Sequence, residues 1–446
     1  MEIIKGYPEP GEQLGKLEVF DPESGRLRGN FTYYGTRSVP TGPYRVKIVK
    51  PPHTSASAGE RIGDIAVIGA SFAPGGEIPH AIMASDSSGL SFEDVTLYSA
   101  NTFGFFERGC TGSRYIRCRV DRRAPEDDPV RRDHPRLRSL NADAFHSKHA
   151  RNGPLYERCV ARFMGDDAIA INGDFHFVAG SDGDVLRILA KFEMNMVAGD
   201  EVQIFTFDGQ RLDNRRIVGI SPAGETTAAE REFLARCGMD ERLRSSGLKS
   251  AYRVQLDSGV DVAIGGLICS ADRIGNGFAI RQCTLGFNRS RGILVKAGRG
   301  EIVDNQIEAT GMTGILVSPE YWWLEAGLAD DLVIARNRIA AGEGMGIALV
   351  AVAGDGSLAP AGAFNRIEIR DNLIAGGARP GLLLTSVSEL VRAGNSVAPD
   401  SGKSLHPWQV GPWGRNGLEP VMLENVQPAK AGGSSTSEPA SPEETE

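Results

Sequence analysis

Aromatic residues are sparse in this chain, at 7% of its 446 positions, and histidine occurs only 7 times. His134, His146, His149 and His176 have no zinc-ligand spacing with any cysteine, so no metal centre of that kind is expected. The 6 cysteines lack the spacing of a disulfide framework. Three of them, Cys118, Cys159 and Cys283, share one position of the repeat described below, which favours buried free thiols. No apolar run reaches about 18 residues, so a transmembrane helix is excluded. Positive charge is not in excess either, and the net charge of −8 argues against nucleic acid or an anionic membrane as the main partner. No glycine loop leads into a helix, so no phosphate cradle, and no cofactor, is expected. Residues Met1 to Pro8 lack the long apolar core of a signal peptide; the expectation is a cytoplasmic protein, or a trimmed one if exported.

What the chain does have is glycine, 55 residues of it, and a repeat. Cys118, Cys159, Cys283, Asn305, Asn337, Asn372 and Asn395 serve as register marks. Two residues after each comes a small or branched apolar side chain: Val120, Ala161, Leu285, Ile307, Ile339, Ile374 and Val397. Ten residues after most of them a further series runs through Ile169, Ile293, Ile315, Ile347 and Leu382, with Gly292, Gly314, Gly346 and Gly381 just ahead of the last four. The steps from 283 to 305 and from 372 to 395 are 22 and 23 residues, and those between carry insertions. A period in the twenties built of short Ile/Val/Leu segments implies an all-β solenoid. The leucine-rich-repeat pattern is absent, so the expected fold is a right-handed parallel β-helix. In it each coil buries its apolar positions against the coils above and below. Asn at the register position would form an inward ladder of side-chain amides.

Five regions are expected: an N-terminal β cap over 1–64, a first part of the β-helix over 65–174, an inserted β-barrel or sandwich over 175–276, a second part of the β-helix over 277–428, and a disordered Ser/Pro/Gly/Glu tail over 429–446. The insertion has its own alternation, in Val185 to Leu189, Glu201 to Phe205 and Arg216 to Ile220, and a helix-like charged piece between Thr226 and Arg244. A charged loop containing Arg122, Arg123 and Arg131 to His134 precedes residue 143 and is placed to overhang it, or to lie solvated beside it.

Asp143 and the run Gly165-Asp166-Asp167 stand one coil apart, so the solenoid would bring carboxylates from adjacent coils together. Paired carboxyls are what glycoside hydrolysis uses, one to protonate the leaving oxygen and one to activate water. Gly-Asp-Asp also reads as a plain turn at a coil corner. Strand alternation sets His146 and Lys148 on the face opposite Asp143, unless the corner bends the chain. Arg291 is level with Asp167 and can pair with a carboxylate or with sugar hydroxyls. Trp322 and Trp323 suit the apolar face of a sugar ring, and Glu320 and Glu325 suit its hydroxyls. Packing and solvation are the ordinary roles for all four. Calcium at the acidic pair is conceivable and would go with a polysaccharide lyase or epimerase.

Together, Asn141-Ala142-Asp143-Ala144-Phe145-His146, Gly165-Asp166-Asp167-Ala168-Ile169 and Asn172-Gly173 before a β insertion resemble the α-1,3-galactosidase family of glycoside hydrolases (family 110). Asn288-Arg289-Ser290-Arg291-Gly292-Ile293-Leu294 and Trp323-Leu324-Glu325-Ala326-Gly327 resemble later segments of that family. The resemblance implies metal-independent, inverting removal of a terminal α-galactoside. It makes Asp143, Asp166 and Asp167 the candidate acid and base, and adds Asn172 and Arg289 to His146, Lys148, Arg291, Glu320, Trp322, Trp323 and Glu325 as candidate substrate-binding residues. The implied partner is an oligosaccharide or polysaccharide. A homo-oligomer stays open, as does a glycan-binding solenoid without turnover.

Overall fold

The computed structural model describes residues 13–42, 45–50, 59–69, 79–128, 136–400 and 419–429. Most of the chain winds as a parallel β-helix with three sheet faces. One face, here the front sheet, stacks Ile82–Ser85, Phe105–Arg108, Phe145–Lys148, Ile169–Asp174, Ile293–Val295, Ile315–Val317, Ile347–Leu349, Leu382–Thr385 and Val421–Glu424, each parallel to the next. The other two faces have eight strands each. In the front sheet Ile169, Ile293, Ile315, Ile347 and Leu382 are consecutive register partners and are all fully buried. The third apolar series of the sequence is therefore one column of the core.

The amide ladder is present. The Oδ1 of Asn337 accepts from the backbone N–H and Nδ2 of Asn305, and Asn372 and Asn395 repeat the pattern on the following coils. From Asn305 to Asn372 each side-chain donor finds an acceptor in a place water does not reach, and the ladder ends at the half-buried Asn395. The residue ahead of each mark has a left-handed backbone: Arg117, Arg158, Gln282, Asp304, Arg336 and Asp371, with φ between 52° and 59°, and Gly394, with φ 64°. That single reversal turns the following side chain inward. The glycines ahead of the core column have a different cause. A Cβ on Gly292 would sit 2.5 Å from the Gly314 carbonyl oxygen, and one on Gly314 would sit 2.7 Å from that of Gly346. The column lets each coil enter the front sheet against the backbone of the next.

Two other bodies lean on this scaffold. Between Asp174 and Asn276 the chain leaves the coil and closes a six-stranded barrel, from His176–Asp182 to Leu267–Ser270. Its only α-helix, Ala228–Arg236, starts with a capping box made by Thr227 and Glu230. At the N-terminus an antiparallel sheet is formed by β1 (Gln13–Phe20), β2 (Leu27–Gly42), β3 (Arg45–Val49) and β4 (Ile65–Gly69), in the order β3-β2-β1-β4. This corrects one expectation. Ile65 to Ile68 are not the first coil but pair antiparallel with β1, and coiling begins at Ile82. Alternating apolar residues alone cannot tell an edge strand of a small sheet from a solenoid strand. All six cysteines are free and buried. No helix among the described residues is long and apolar enough to cross a membrane. The loop from Arg131 to His134 and the tail from 430 onward lie outside the described residues.

Candidate active site

The register of the front sheet assembles the site. Phe145 pairs with Ile169, and Ile169 with Ile293, so Asp143, Asp167 and Arg291 form a column two residues ahead, at the corner where each coil enters the sheet. The column is stitched by its own backbone. Asp143 Oδ1 accepts from the Asp167 N–H at 3.1 Å, and Asp167 Oδ1 accepts from the Arg291 N–H at 2.8 Å. Gly165 makes the corner possible, because a Cβ there would lie 2.7 Å from the Asn141 carbonyl oxygen. Asp166 joins from one residue earlier. Each of the three carboxyls offers an oxygen within 4.8 Å of the other two.

Their surroundings differ. Asp143 is 5% and Asp167 3% exposed, while the side chain of Asp166 keeps 30%. Burial, with the neighbouring Asp143 and Asp166 carboxylates, pushes Asp167 up to about 7 against the pull of Arg291. Burial also raises Asp143, opposed by its contact to His146. Asp166 goes the other way. Its burial is outweighed by Arg289, whose Nη2 is 2.8 Å from its Oδ1, then by Lys16 and Arg291, so its carboxyl is held well below the usual range.

His146 was expected on the face away from Asp143. The corner bend brings them together instead, with His146 Nδ1 2.7 Å from Asp143 Oδ2. Asp143 precedes the regular strand Phe145–Lys148, so strand alternation does not apply to it. From this pair a circuit of contacts can be followed around Ala170, the register partner of His146 and Leu294. It passes from Asp143 to Asp167, to Arg291, and to Glu320. Lys296 Nζ then bridges Glu320 at 3.0 Å and Glu325 at 2.8 Å, and Glu325 is in electrostatic reach of His146. The loop carrying both glutamates is held over the front sheet because Glu325–Ala326 pairs with Gly173 and Asp174.

Lys148 and Asn172 line up on adjacent coils beside this ring but do not touch the acids. Lys148 reaches Asp174 at 3.2 Å, and Asn172 donates to the Gly173 carbonyl. Trp322 and Trp323 both meet the insertion. Trp322 is 53% exposed and its carbonyl accepts from Asp240, while Trp323 lies under the Arg242 guanidinium, both partners belonging to the insertion. Both lie on a short 3-10 turn, Tyr321–Trp323.

Two groups at the site carry no mark in the sequence. One is Lys16 on β1, which donates to the carbonyls of Asn141 at 2.8 Å and Gly165 at 2.6 Å and lies 3.6 Å from Asp166. Burial lowers its ammonium to about 7. Next to it Glu18 contacts Arg138 and lies 3.8 Å from Arg289. Lys16 and Glu18 alternate with Leu17 and Val19, a pattern that signals a strand with one polar face but not what that face meets. The other group is at the mouth of the barrel. Asp174 is bound by Lys191 at 2.6 Å and His149 at 2.8 Å, and His149 continues through Asn195 to His176.

A cation between three carboxyls is an obvious question. The trio is the one group of that kind among the described residues, and its oxygens are close enough. Lys16 and Arg289 bring positive charge to Asp166, and Arg291 brings it to Asp167.

What fold and site define is a parallel β-helix that carries a buried carboxyl cluster at the corner of its front sheet, flanked by an inserted barrel. No family model matches the chain, and no curated protein matches it. Two solved structures are similar to it at 10% identity. One is the A-module of the mannuronan C-5 epimerase AlgE6 of Azotobacter vinelandii, with a TM-score of 0.32 over 77% of this chain and 59% of that one. The other is the catalytic unit of a thermostable GH87 α-1,3-glucanase from Streptomyces thermodiastaticus strain HF3-3, with a TM-score of 0.19 over 94% and 85%. The chain thus spans less than two thirds of the epimerase module. At these TM-scores neither likeness bears on the chemistry of this chain, which rests on its own residues.

Proposed function

We propose that the protein is a glycoside hydrolase that removes a terminal sugar from an oligosaccharide or polysaccharide, with an α-galactoside as the substrate the resemblance favours. The observation that carries the reading is the opposite poise of two adjacent carboxyls. Asp167, pushed up to about 7, holds its proton in a large share of molecules at neutral pH, where an ordinary carboxyl is ionised, and can give it to the leaving oxygen. Asp166, ionised and the most exposed of the three, can take a proton from water. Asp143, fixed by His146 and the Asp167 N–H, supports the charge difference. The ring around Ala170 supplies hydroxyl partners of both signs: Arg291, Lys296, Glu320, Glu325 and His146.

Two arguments about stereochemistry oppose each other. Carboxyls about 5 Å apart suit a covalent, retaining route, and inverting pairs usually stand about 6.5–9.5 Å apart. A nucleophile must, however, be free to form a bond. Here Asp166 is clamped by Arg289 and Lys16, and Asp143 by His146 and a backbone N–H. The water-mediated, inverting course is the one we adopt. Proton NMR of the first product formed from an aryl α-galactoside tests both parts. The expected result is β-galactose. α-Galactose as first product would assign retention, and no turnover across a panel of aryl α- and β-glycosides would remove the hydrolase reading.

A lyase or epimerase is the second reading, favoured by the Asp143–His146 pair, which could act as a base on a uronate. Against it, Arg289, Arg291, Lys296, Lys148 and Lys191 are each already paired with a carboxylate, leaving none of these five free for the uronate's own charge. An unsaturated product absorbing in the ultraviolet, or loss of activity with a chelator, would favour it over hydrolysis.

A further inference from the structure

We propose that the N-terminal sheet is half of the active site. In this reading Tyr34 is the stacking platform for the second sugar of the substrate, the one that leaves, and Lys16 is a positioning residue that fixes Asp166 beside it. The inference rests on the hydrolase reading and assigns its leaving-group side.

The sheet meets the coil at the acid corner through one polar face. Lys16 and Tyr34 are direct cross-strand partners, as are Glu18 and Thr32, so all four side chains share that face. Lys16 reaches the carbonyls on either side of the corner, at Asn141 and Gly165, and Glu18 meets Arg138 and Arg289. On β4, Gly69 lies opposite Lys16, and a Cβ there would come within 3.0 Å of the Asn141 side chain. The opposite face of the sheet is its own apolar core of Leu17, Val19 and Tyr33. A sheet that served only to cover a coil end would turn this apolar face to the coil. Here it sends buried charges to a catalytic corner.

Tyr34 is the exception on that face. It is 57% exposed, and its cross-strand partner Lys16 lies 3.6 Å from Asp166. An aromatic ring that stays open to solvent beside an ionised carboxylate offers a face for sugar C–H groups, with charged partners at its edge for hydroxyls. The direction follows from the two ends of the site. At the far end the Glu320–Glu325 loop pairs with Gly173 and Asp174, and Lys191 ties it to Asp174 through the Leu324 carbonyl. That end takes the terminal sugar. Asp166 and Tyr34 stand at the other end, where the rest of the substrate has to leave.

The test compares α-1,3-linked galactobiose, which places a sugar on Tyr34, with α-galactosyl fluoride, whose leaving group is a single atom. Tyr34→Ala should lower the ratio of kcat/KM for the disaccharide to that for the fluoride roughly tenfold, and Tyr34→Phe should keep it. Lys16→Met should move the acidic limb of the pH profile upward, because Asp166 loses a cation, and Lys16→Arg should restore it. An unchanged ratio in Tyr34→Ala, or an unmoved limb in Lys16→Met, overturns the corresponding half of the proposal. If the wild type turns over neither compound, the α-galactoside reading fails by itself. Calorimetric binding of galactobiose then decides the subsite: affinity about tenfold weaker in Tyr34→Ala supports it, and equal affinity or no binding overturns it.

Discussion

Asp143, Asp166 and Asp167 are chemically the same side chain, and their differences come from what surrounds them. Asp166 has Arg289 and Lys16; Asp167 has burial and two neighbouring carboxylates. The activity profile follows from this. The kcat/KM of the free enzyme should fall above about pH 7, as Asp167 loses its proton, and should hold on the acid side to below the ordinary carboxylate range, where Asp166 stays ionised. Stability carries the same signature with a definite sign. A carboxyl whose folded pKa is raised binds its proton more tightly than the unfolded chain does, so its contribution is fully present at low pH and is lost as pH rises toward about 7. Asp167→Asn cannot lose that proton. Its melting temperature relative to wild type should therefore increase between pH 5 and pH 8 in a thermal-shift series; a difference that is flat in pH would show that Asp167 is not the perturbed group. The trio itself could be read from the sequence, since one coil separates its members. The split between them could not, because Lys16 comes from more than a hundred residues away.

At the scale of the element, the sequence shows the coil through the columns that have one residue type. The Asn ladder and the Ile column are legible because a solenoid repeats the same environment, so the same side chain solves it each time. The left-handed corners are hidden for the opposite reason. Any residue that tolerates the conformation serves, and, except at Gly394, Arg, Gln and Asp take the place where Gly would have announced a turn. The ladder makes a quantitative claim. The Asn337 side chain accepts two hydrogen bonds from Asn305 and donates one to Ile302 and one to Asn372. Asn337→Ala strands those buried partners, and we expect a loss of about 2–4 kcal/mol in urea unfolding. A loss under about 0.5 kcal/mol, the range of a surface substitution, would mean that the amides do not hold the coils together. The direction of His146 escaped the pattern because the rule of alternation stops where the regular strand does.

For the whole molecule, the site is where three bodies converge: the front sheet gives the acids, the N-terminal sheet gives Lys16, and the insertion packs Lys191 and His176 behind Asp174. The two Trp residues expected at the sugar meet the insertion, Trp323 through its ring under Arg242 and Trp322 through its backbone carbonyl, while the Trp322 side chain stays exposed. A sequence places residues along a coil well and across a seam poorly, since the seam has no period. Isolating the carboxyls from one another tests the account most directly: kcat on an aryl α-galactoside for wild type, Asp143→Asn, Asp166→Asn and Asp167→Asn, with the fold checked by circular dichroism. Losses of roughly 10²-fold to 10⁴-fold for Asp166→Asn and Asp167→Asn in folded proteins are predicted. Full activity in a folded Asp167→Asn protein would contradict the account.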